Sequence, residues 1–440
     1  MDSKACVASV PSATDESIHT GIALPMRRYR VLIILSHPVQ YHGSLLRRMA
    51  ACAELDLRVA YCSLRGAEPN RDPEFDVTVQ WDVPLLDGYT WTHIPNAGSG
   101  TESFLGLRNP GIWKLIREGD FDAVICFVGY VRATFWIACL AARSSRTAFL
   151  FGCDQGSLES RDGQWWKSRV KRLAWPLLYR LADQVLVSSS RARQLIKSLG
   201  IPEQHISLTL LVVDNEWWKC KANDVDRRIV RESWGATEND LVLLFCAKLQ
   251  SWKRPFDLLR AFARQRPSNS LLVFAGDGPL RPELESEASR LGISSQVRFL
   301  GFLNQSQLPA IYKSADLMVL PSAYEPFGVV VNEAMCCGCP VAVSDKVGAG
   351  PDLVAPVDPS FIFSCGDLDA LTRLIANAVA DRPRLHEVSR RCISHMQSWS
   401  FDQSVIATID AIKRAVSRIR PRAPEKSRAS TSKSSMSGAA

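Results

Sequence analysis

Short apolar runs alternate along this chain with stretches of helical periodicity. Strands are expected at residues 30–35, 55–61, 121–128, 148–151 and 184–188, with helical patterns between them. A strand covered on both faces reads as a continuous apolar run, so this alternation predicts a parallel sheet with helices on both sides. Near residues 210–224 the regularity fades, and Val213-Asp-Asn-Glu-Trp-Trp218 reads as a connection. A second series then begins, with strands over 241–246, 271–275, 297–300, 315–320 and 341–343 and helices over 256–264, 281–291 and 308–314. The expected fold class is α/β, with two doubly wound Rossmann-like domains facing each other across a cleft at the carboxyl ends of both sheets. Residues 28–215 form the first domain and 216–400 the second. Residues 401–420 form a helix returning to the first domain. A flexible lead (1–27) and a basic tail (421–440) are expected to be disordered.

Composition removes several function classes. The formal net charge is +8, but residues 413–433 carry eight basic side chains against one acid, Glu425. The rest of the chain is close to neutral, which argues against a nucleic-acid partner. No uncharged apolar run is long enough for a membrane span; residues 123–142 come nearest and are broken by Arg132. The first 24 residues contain Asp15 and Glu16 and lack a signal-peptide core, so a cytoplasmic protein is expected. The thirteen cysteines are scattered through apolar segments, and Cys336-Cys-Gly-Cys339 reads as small buried side chains rather than a metal or redox motif. No Gly-x-Gly-x-x-Gly follows the first strand, which excludes a dehydrogenase.

The chemistry concentrates in Pro321-Ser-Ala-Tyr-Glu325-Pro-Phe-Gly328-Val329, which leads into a helix carrying Glu333. Pro326 biases Glu325 to extended backbone. Phe327 and Gly328 can then open a helix whose free N–H groups and positive dipole end suit an anion. The two carboxylates would face different parts of one ligand. Lys248 and Lys253 follow the strand over 241–246 and can converge on one anionic group. Gly276-Asp277-Gly278 forms a turn that permits close backbone approach. Asp154 follows a first-domain strand and is a candidate for hydroxyl binding. Three Asp-x-Asp strings, at 120–122, 224–226 and 367–369, start a strand, lie in the connection and start a helix, so none is placed to hold a metal. Residues 165–180 place Val170, Leu173, Ala174, Leu177, Leu178 and Leu181 at helical spacing, with Lys167, Arg169, Lys171, Arg172 and Arg180 beside tryptophans. The apolar stripe reads first as core; an anionic membrane surface is the alternative partner.

Taken in order, Ala247-Lys-Leu249, Trp252-Lys253, Phe274-Ala-Gly-Asp-Gly-Pro279, Leu300-Gly-Phe302, residues 312–316 and Glu325-x7-Glu333 resemble the C-terminal domain of family 4 retaining glycosyltransferases of the GT-B fold. Ser36-His-Pro-Val-Gln-Tyr-His42 and Leu181-Ala-Asp-Gln-Val-Leu-Val-Ser188 are similar to that family's first half. The sequence departs from it by replacing a paired-glycine loop with His37-Pro38 and Tyr41-His42-Gly43, and an arginine with Lys248. The resemblance implies a hexose transferase that takes a nucleotide-diphosphate sugar and a saccharide or lipid-linked acceptor for surface glycans, without metal or cofactor. It implies that the first domain is the acceptor side and the second binds the donor. Lys248, Lys253 and Glu325 would act at the reacting centre. Glu333 would take the ribose hydroxyls, and Phe327, Gly328, Val329, Gly276, Asp277 and Gly278 would complete the donor site. His37, Tyr41, His42 and Asp154 would meet the sugar or acceptor. A nucleotide-sugar 2-epimerase and a non-catalytic binding subunit are the alternatives.

Overall fold

A computed structural model describes residues 27–72 and 77–419. The expected lead and tail lie outside those residues, apart from Arg27. The first lobe holds β1 (Tyr29–Leu35), β2 (Leu55–Tyr61), β5 (Thr90–His93), β6 (Ala123–Cys126), β7 (Ala148–Cys153), β8 (Gln184–Val187) and β9 (Ile206–Leu208) in one sheet. Their order is β5-β2-β1-β6-β7-β8-β9, and all pairings are parallel. A separate antiparallel hairpin joins β3 (Asn70–Asp72) to β4 (Val77–Val79). The second lobe holds β10 (Leu241–Cys246), β11 (Ser270–Ala275), β12 (Val297–Gly301), β13 (Leu317–Leu320), β14 (Val341–Ser344) and β15 (Ile362–Phe363). That sheet is also parallel, ordered β12-β11-β10-β13-β14-β15.

Every residue of β10, β11, β13 and β14 is buried, which is why these strands show no alternation of polar and apolar side chains. The strand order reverses between β1 and β6 in the first sheet and between β10 and β13 in the second. Chains leave in opposite directions at such a point and open a crevice at the carboxyl edge. The helix Phe401–Arg418 returns to the first lobe, where Val405, Ile409, Ile412 and Ala415 share a core with Val31, Ile33 and Leu150.

Four pairings were not foreseen. Thr90–His93 is half-buried or exposed along its length and carries no apolar run. Ile206–Leu208 and Ile362–Phe363 are edge strands of three and two residues, too short to show a period. The hairpin β3–β4 is equally short. The strand expected over 121–128 ends at Cys126, leaving Phe127 exposed at the cleft. Among the described residues, no helix is long and apolar enough to cross a membrane.

Candidate active site

After β10 the chain turns through Lys248, which is half-buried, into a short 3-10 turn, Ser251–Lys253. Lys253 Nζ pairs with Glu325 Oε2, and the two side chains retain 17% and 13% exposure. The sequence placed both groups around one ligand; the fold also joins them directly across the β10–β13 reversal. Glu325 is fixed from behind. Its backbone bridges to Val347, and its carbonyl accepts from Gly348 N at 3.0 Å. A Cβ on Gly348 would overlap the Pro326 carbonyl oxygen. Sequence reasoning passed over Gly348, although the Gly348-Ala-Gly350 string marks a close backbone approach.

Gly328 has φ +100° and opens the helix Val329–Cys336, whose first N–H groups have no partner within the helix. Phe327 turns its side chain into the core, 3% exposed and stacked 6.4 Å from Trp399. A donor can therefore meet Phe327 through its backbone alone. Val329 is half-buried and packs against the same core.

One helical turn on, Glu333 Oε2 accepts a hydrogen bond from Tyr312 Oη at 2.8 Å, and Tyr312 Oη lies 3.3 Å from Cys246 Sγ. This relay was invisible in the sequence because its members come from three separate elements. Burial raises the Glu333 carboxyl to about 7, against the hydrogen bond that lowers it. Between the ordinary carboxylate range and pH 7 the folded state holds the extra proton, so this contribution to stability is lost as pH rises through 7. Ligand-free protein should show a fall in Tm from pH 5 to 7.5 that is reduced in Glu333→Gln. Ribose hydroxyls would donate to the ionised form, so nucleotide affinity should rise over the same interval in the parent and stay flat in the variant. Parallel calorimetric titrations of both proteins check this, and equal pH slopes would exclude it.

The Gly276–Gly278 turn makes its close approach within the protein itself. Gly276 and Gly278 have φ +139° and +154°, and a Cβ on them would meet the carbonyl oxygens of Ala247 and Leu249. The close approach these glycines permit is therefore to the Lys248 turn. Leu249 N donates to Asp277 O at 2.9 Å. Asp277 itself is engaged internally, accepting from Arg281 Nη1 at 3.0 Å and from Gly278 N at 2.8 Å.

On the facing lobe, His37, Tyr41, His42 and Asp154 all line one cavity of about 220 Å³ at the β1–β6 reversal. Ser36 Oγ lies 2.9 Å from His37 Nδ1. Burial, aided by His37, lowers His42 to about 4, so its imidazole is neutral at neutral pH. Its Nδ1 is buried and lacks a hydrogen-bond partner among the described residues. Burial and the Asp154 carboxylate push the Tyr41 phenol up, and desolvation raises Asp154. Gln155 then enters a second pocket of about 100 Å³ shared with Tyr324 and Glu325 of the other lobe.

The remaining motifs have structural employment. Asp122 receives Arg27 and the Arg30 backbone, Asp226 and Asp367 cap helices, and Asp369 pairs with Arg264. The twelve described cysteines are free, with Cys336, Cys337 and Cys339 buried. The helix Trp165–Tyr179 corrects the sequence reading. Its buried residues are Trp175, Leu178 and Tyr179, whereas Val170, Leu173 and Leu177 are 53%, 78% and 68% exposed. Periodicity alone could not say which flank of the stripe meets the sheet.

Comparison with known proteins addresses the family and the fold. Residues 226–396 match the profile of glycosyl transferases group 1, and residues 38–209 that of a glycosyl transferase 4-like domain. The chain is 30% identical over 251 residues to D-inositol 3-phosphate glycosyltransferase 2 of Catenulispora acidiphila, covering 54% of this chain and 58% of that one. It is 35% identical over 178 residues to an uncharacterized glycosyltransferase of Methanocaldococcus jannaschii, covering 39% and 44%. The chain thus spans about half the length of the curated relatives it matches. Anabaena HepE, solved with UDP and glucose, superposes with a TM-score of 0.66 at 18% identity over 88% of this chain and 100% of that one. WaaG, a glycosyltransferase of lipopolysaccharide biosynthesis, gives 0.61 at 15% over 87% and 99%. With both profiles matched in order across two facing parallel-sheet lobes, the chain belongs to the GT-B glycosyltransferases of group 1.

Proposed function

We propose that this chain is a metal-independent, retaining glycosyltransferase. It moves a hexose from a nucleoside-diphosphate sugar to a saccharide or lipid-linked saccharide in surface polysaccharide or glycoconjugate synthesis. The observation that carries this reading is the Lys253–Glu325 pair at the β10–β13 reversal, close in sequence to the helix opening at Gly328. Breaking the anomeric C–O bond leaves negative charge on the diphosphate and positive charge on the sugar. Lys253, Lys248 and the N–H groups at Gly328 and Val329 would stabilise the leaving diphosphate. Glu333 would hold the ribose through its two hydroxyls. Glu325, already held by an ammonium, is better suited to stabilising the cationic sugar than to attacking it. The acceptor oxygen then bonds on the face the diphosphate leaves, and its proton passes to the departing phosphate oxygen. His37, Tyr41, His42 and Asp154 would bind the acceptor, with neutral His42 offering a lone pair to a hydroxyl.

Complexes of a fold relative with UDP and glucose support a hexose on UDP as the first donor to test. Incubation with UDP-, GDP- and ADP-hexoses should release nucleoside diphosphate only when a saccharide acceptor is present, and EDTA should not stop it. An isomerised sugar nucleotide formed without acceptor would overturn the reading in favour of an epimerase. Rescue of an EDTA-blocked enzyme by manganese would remove metal independence.

The helix Trp165–Tyr179 supports a peripheral place on the inner face of the plasma membrane. Trp165, Trp166, Val170, Leu173 and Leu177 are exposed together, with Arg169, Arg172 and Arg180. Lys167 and Lys171 serve a nearer purpose: the first pairs with Asp162 and the second donates to the carbonyls of Leu158 and Glu159. Exposed apolar rings beside arginines suit an anionic interface. The protein should sediment with vesicles containing anionic lipid more than with neutral ones, and Arg169→Glu/Arg172→Glu should erase that difference. Equal pelleting by both vesicle types would exclude electrostatic docking.

A further inference from the structure

Between β7 and the helix Trp165–Tyr179, residues 154–164 form a strap that reaches the opposite lobe. Its tip is a turn built from within. Gly163 N donates to Ser160 O at 2.9 Å, and Asp162 Oδ1 accepts from Ser160 Oγ at 2.6 Å and Gln164 N at 3.2 Å. Arg161 stands at the corner of this turn. Its guanidinium lies over the Trp252 ring, 3.2 Å from the centroid, and its Nη2 donates to Gln250 Oε1 at 3.2 Å.

Both partners belong to the turn that presents Lys253. Lys253 N donates to Gln250 O at 3.0 Å, and Trp252 O accepts from Ala323 N at 2.7 Å. Two residues beyond Ala323 stands Glu325. Gln250, Trp252 and Lys253 are thus one small unit, tied on one side to the Glu325 loop and gripped on the other by an arginine of the first lobe. Other contacts also cross the cleft, such as Tyr324 Oη to Gln155 Oε1 at 3.0 Å and Ser190 N to Asp352 Oδ2 at 2.9 Å. The Arg161 contact differs in touching the lysine-bearing turn itself.

We propose that Arg161 is an inter-lobe positioning residue: its stack on Trp252 holds the Lys253 turn in its working place when the lobes are closed. Presentation of the ammonium to the diphosphate then depends on closure, and an open cleft has a loosened lysine. A planar guanidinium suits this task because it can stack on the indole and hydrogen-bond to Gln250 at once. The inference rests on the transferase reading, in which Lys253 meets the leaving diphosphate.

Arg161→Ala should lower kcat by about 3- to 10-fold, the range expected for losing a partly exposed cation–π contact, with a smaller change in donor KM. Arg161→Lys should recover part of the loss, because an ammonium still sits over the ring without bridging to Gln250. Trp252→Leu should lose a similar factor, and the double variant no more than either single one. Small-angle X-ray scattering of the nucleotide-free proteins should show a larger radius of gyration in Arg161→Ala than in the parent. This readout does not require turnover, so it reports on the clamp even if no nucleotide sugar proves to be a donor. Losses that multiply in the double variant, or an unchanged kcat with unchanged scattering, would overturn the proposal.

Discussion

Lys253→Ala is expected to lower kcat by about 10²–10³-fold, the cost typical of removing one group that stabilises charge developing in the transition state. The reasoning follows the charge. In the ligand-free protein Lys253 is paired with Glu325, and both are largely screened from water. In the proposed reaction the donor diphosphate would enter a region that already contains that carboxylate. The ammonium must then offset two anionic groups, and the phosphate charge grows as the anomeric bond breaks. An interaction that strengthens towards the transition state affects turnover more than binding. Donor KM should therefore change much less than kcat. Removing the ammonium also leaves a poorly hydrated carboxylate unpaired, so a modest loss of Tm accompanies the loss of rate. Lys253→Arg keeps the charge and should retain more activity than alanine. Saturation kinetics with thermal melts on the same samples check this; turnover within threefold of the parent in Lys253→Ala would remove Lys253 from the chemistry.

Gly276→Ala is expected to destabilise the second lobe by about 2–4 kcal/mol, the sum of backbone strain and steric displacement. Gly276 has φ +139°, a region that L-residues rarely enter, and the added methyl would overlap the Ala247 carbonyl oxygen. The strand ends of β10 and β11 would have to separate, because Gly276 N also donates to Gly301 O at 2.8 Å. Lys248 rides on the displaced turn, so donor KM should rise as well. Gly292→Ala is the control: φ there is +70°, but nothing lies within 4 Å of the new Cβ. Its cost should be only about 1 kcal/mol. Differential scanning calorimetry of both variants makes the comparison, and equal shifts would show that the Ala247 contact contributes nothing.

Much of this molecule is legible in its sequence. The buried strands β10, β11, β13 and β14 declared themselves because a parallel strand covered on both faces shows no alternation of polar and apolar positions, and β1 did so through its run from Val31 to Leu35. Glu325 and Glu333 were marked by Pro326 and Gly328, residues whose backbone demands are local. The arms of the site came from sequence proximity to strand ends, since α/β sheets place ligands there. The helix 165–179 was legible as a helix but not in its orientation. An amphipathic pattern states that two faces differ; which one is buried followed from tertiary contacts, Tyr179 against Phe151 and Trp175 against Tyr130.

What the chain determined alone is therefore the set of elements and the local conformations that proline, glycine and continuous apolar runs impose, because those depend on a few neighbouring residues. What the tertiary structure decided is which distant groups became partners. Lys253 met Glu325 across 72 positions, Tyr312 met Glu333 across 21, and Arg161 of one lobe met Gln250 of the other across 89. Gly276 and Gly278 were likewise given a neighbouring turn to approach, at Ala247 and Leu249. Such pairings follow from how strand order and lobe packing bring loop ends together, and no local pattern encodes a separation of that length.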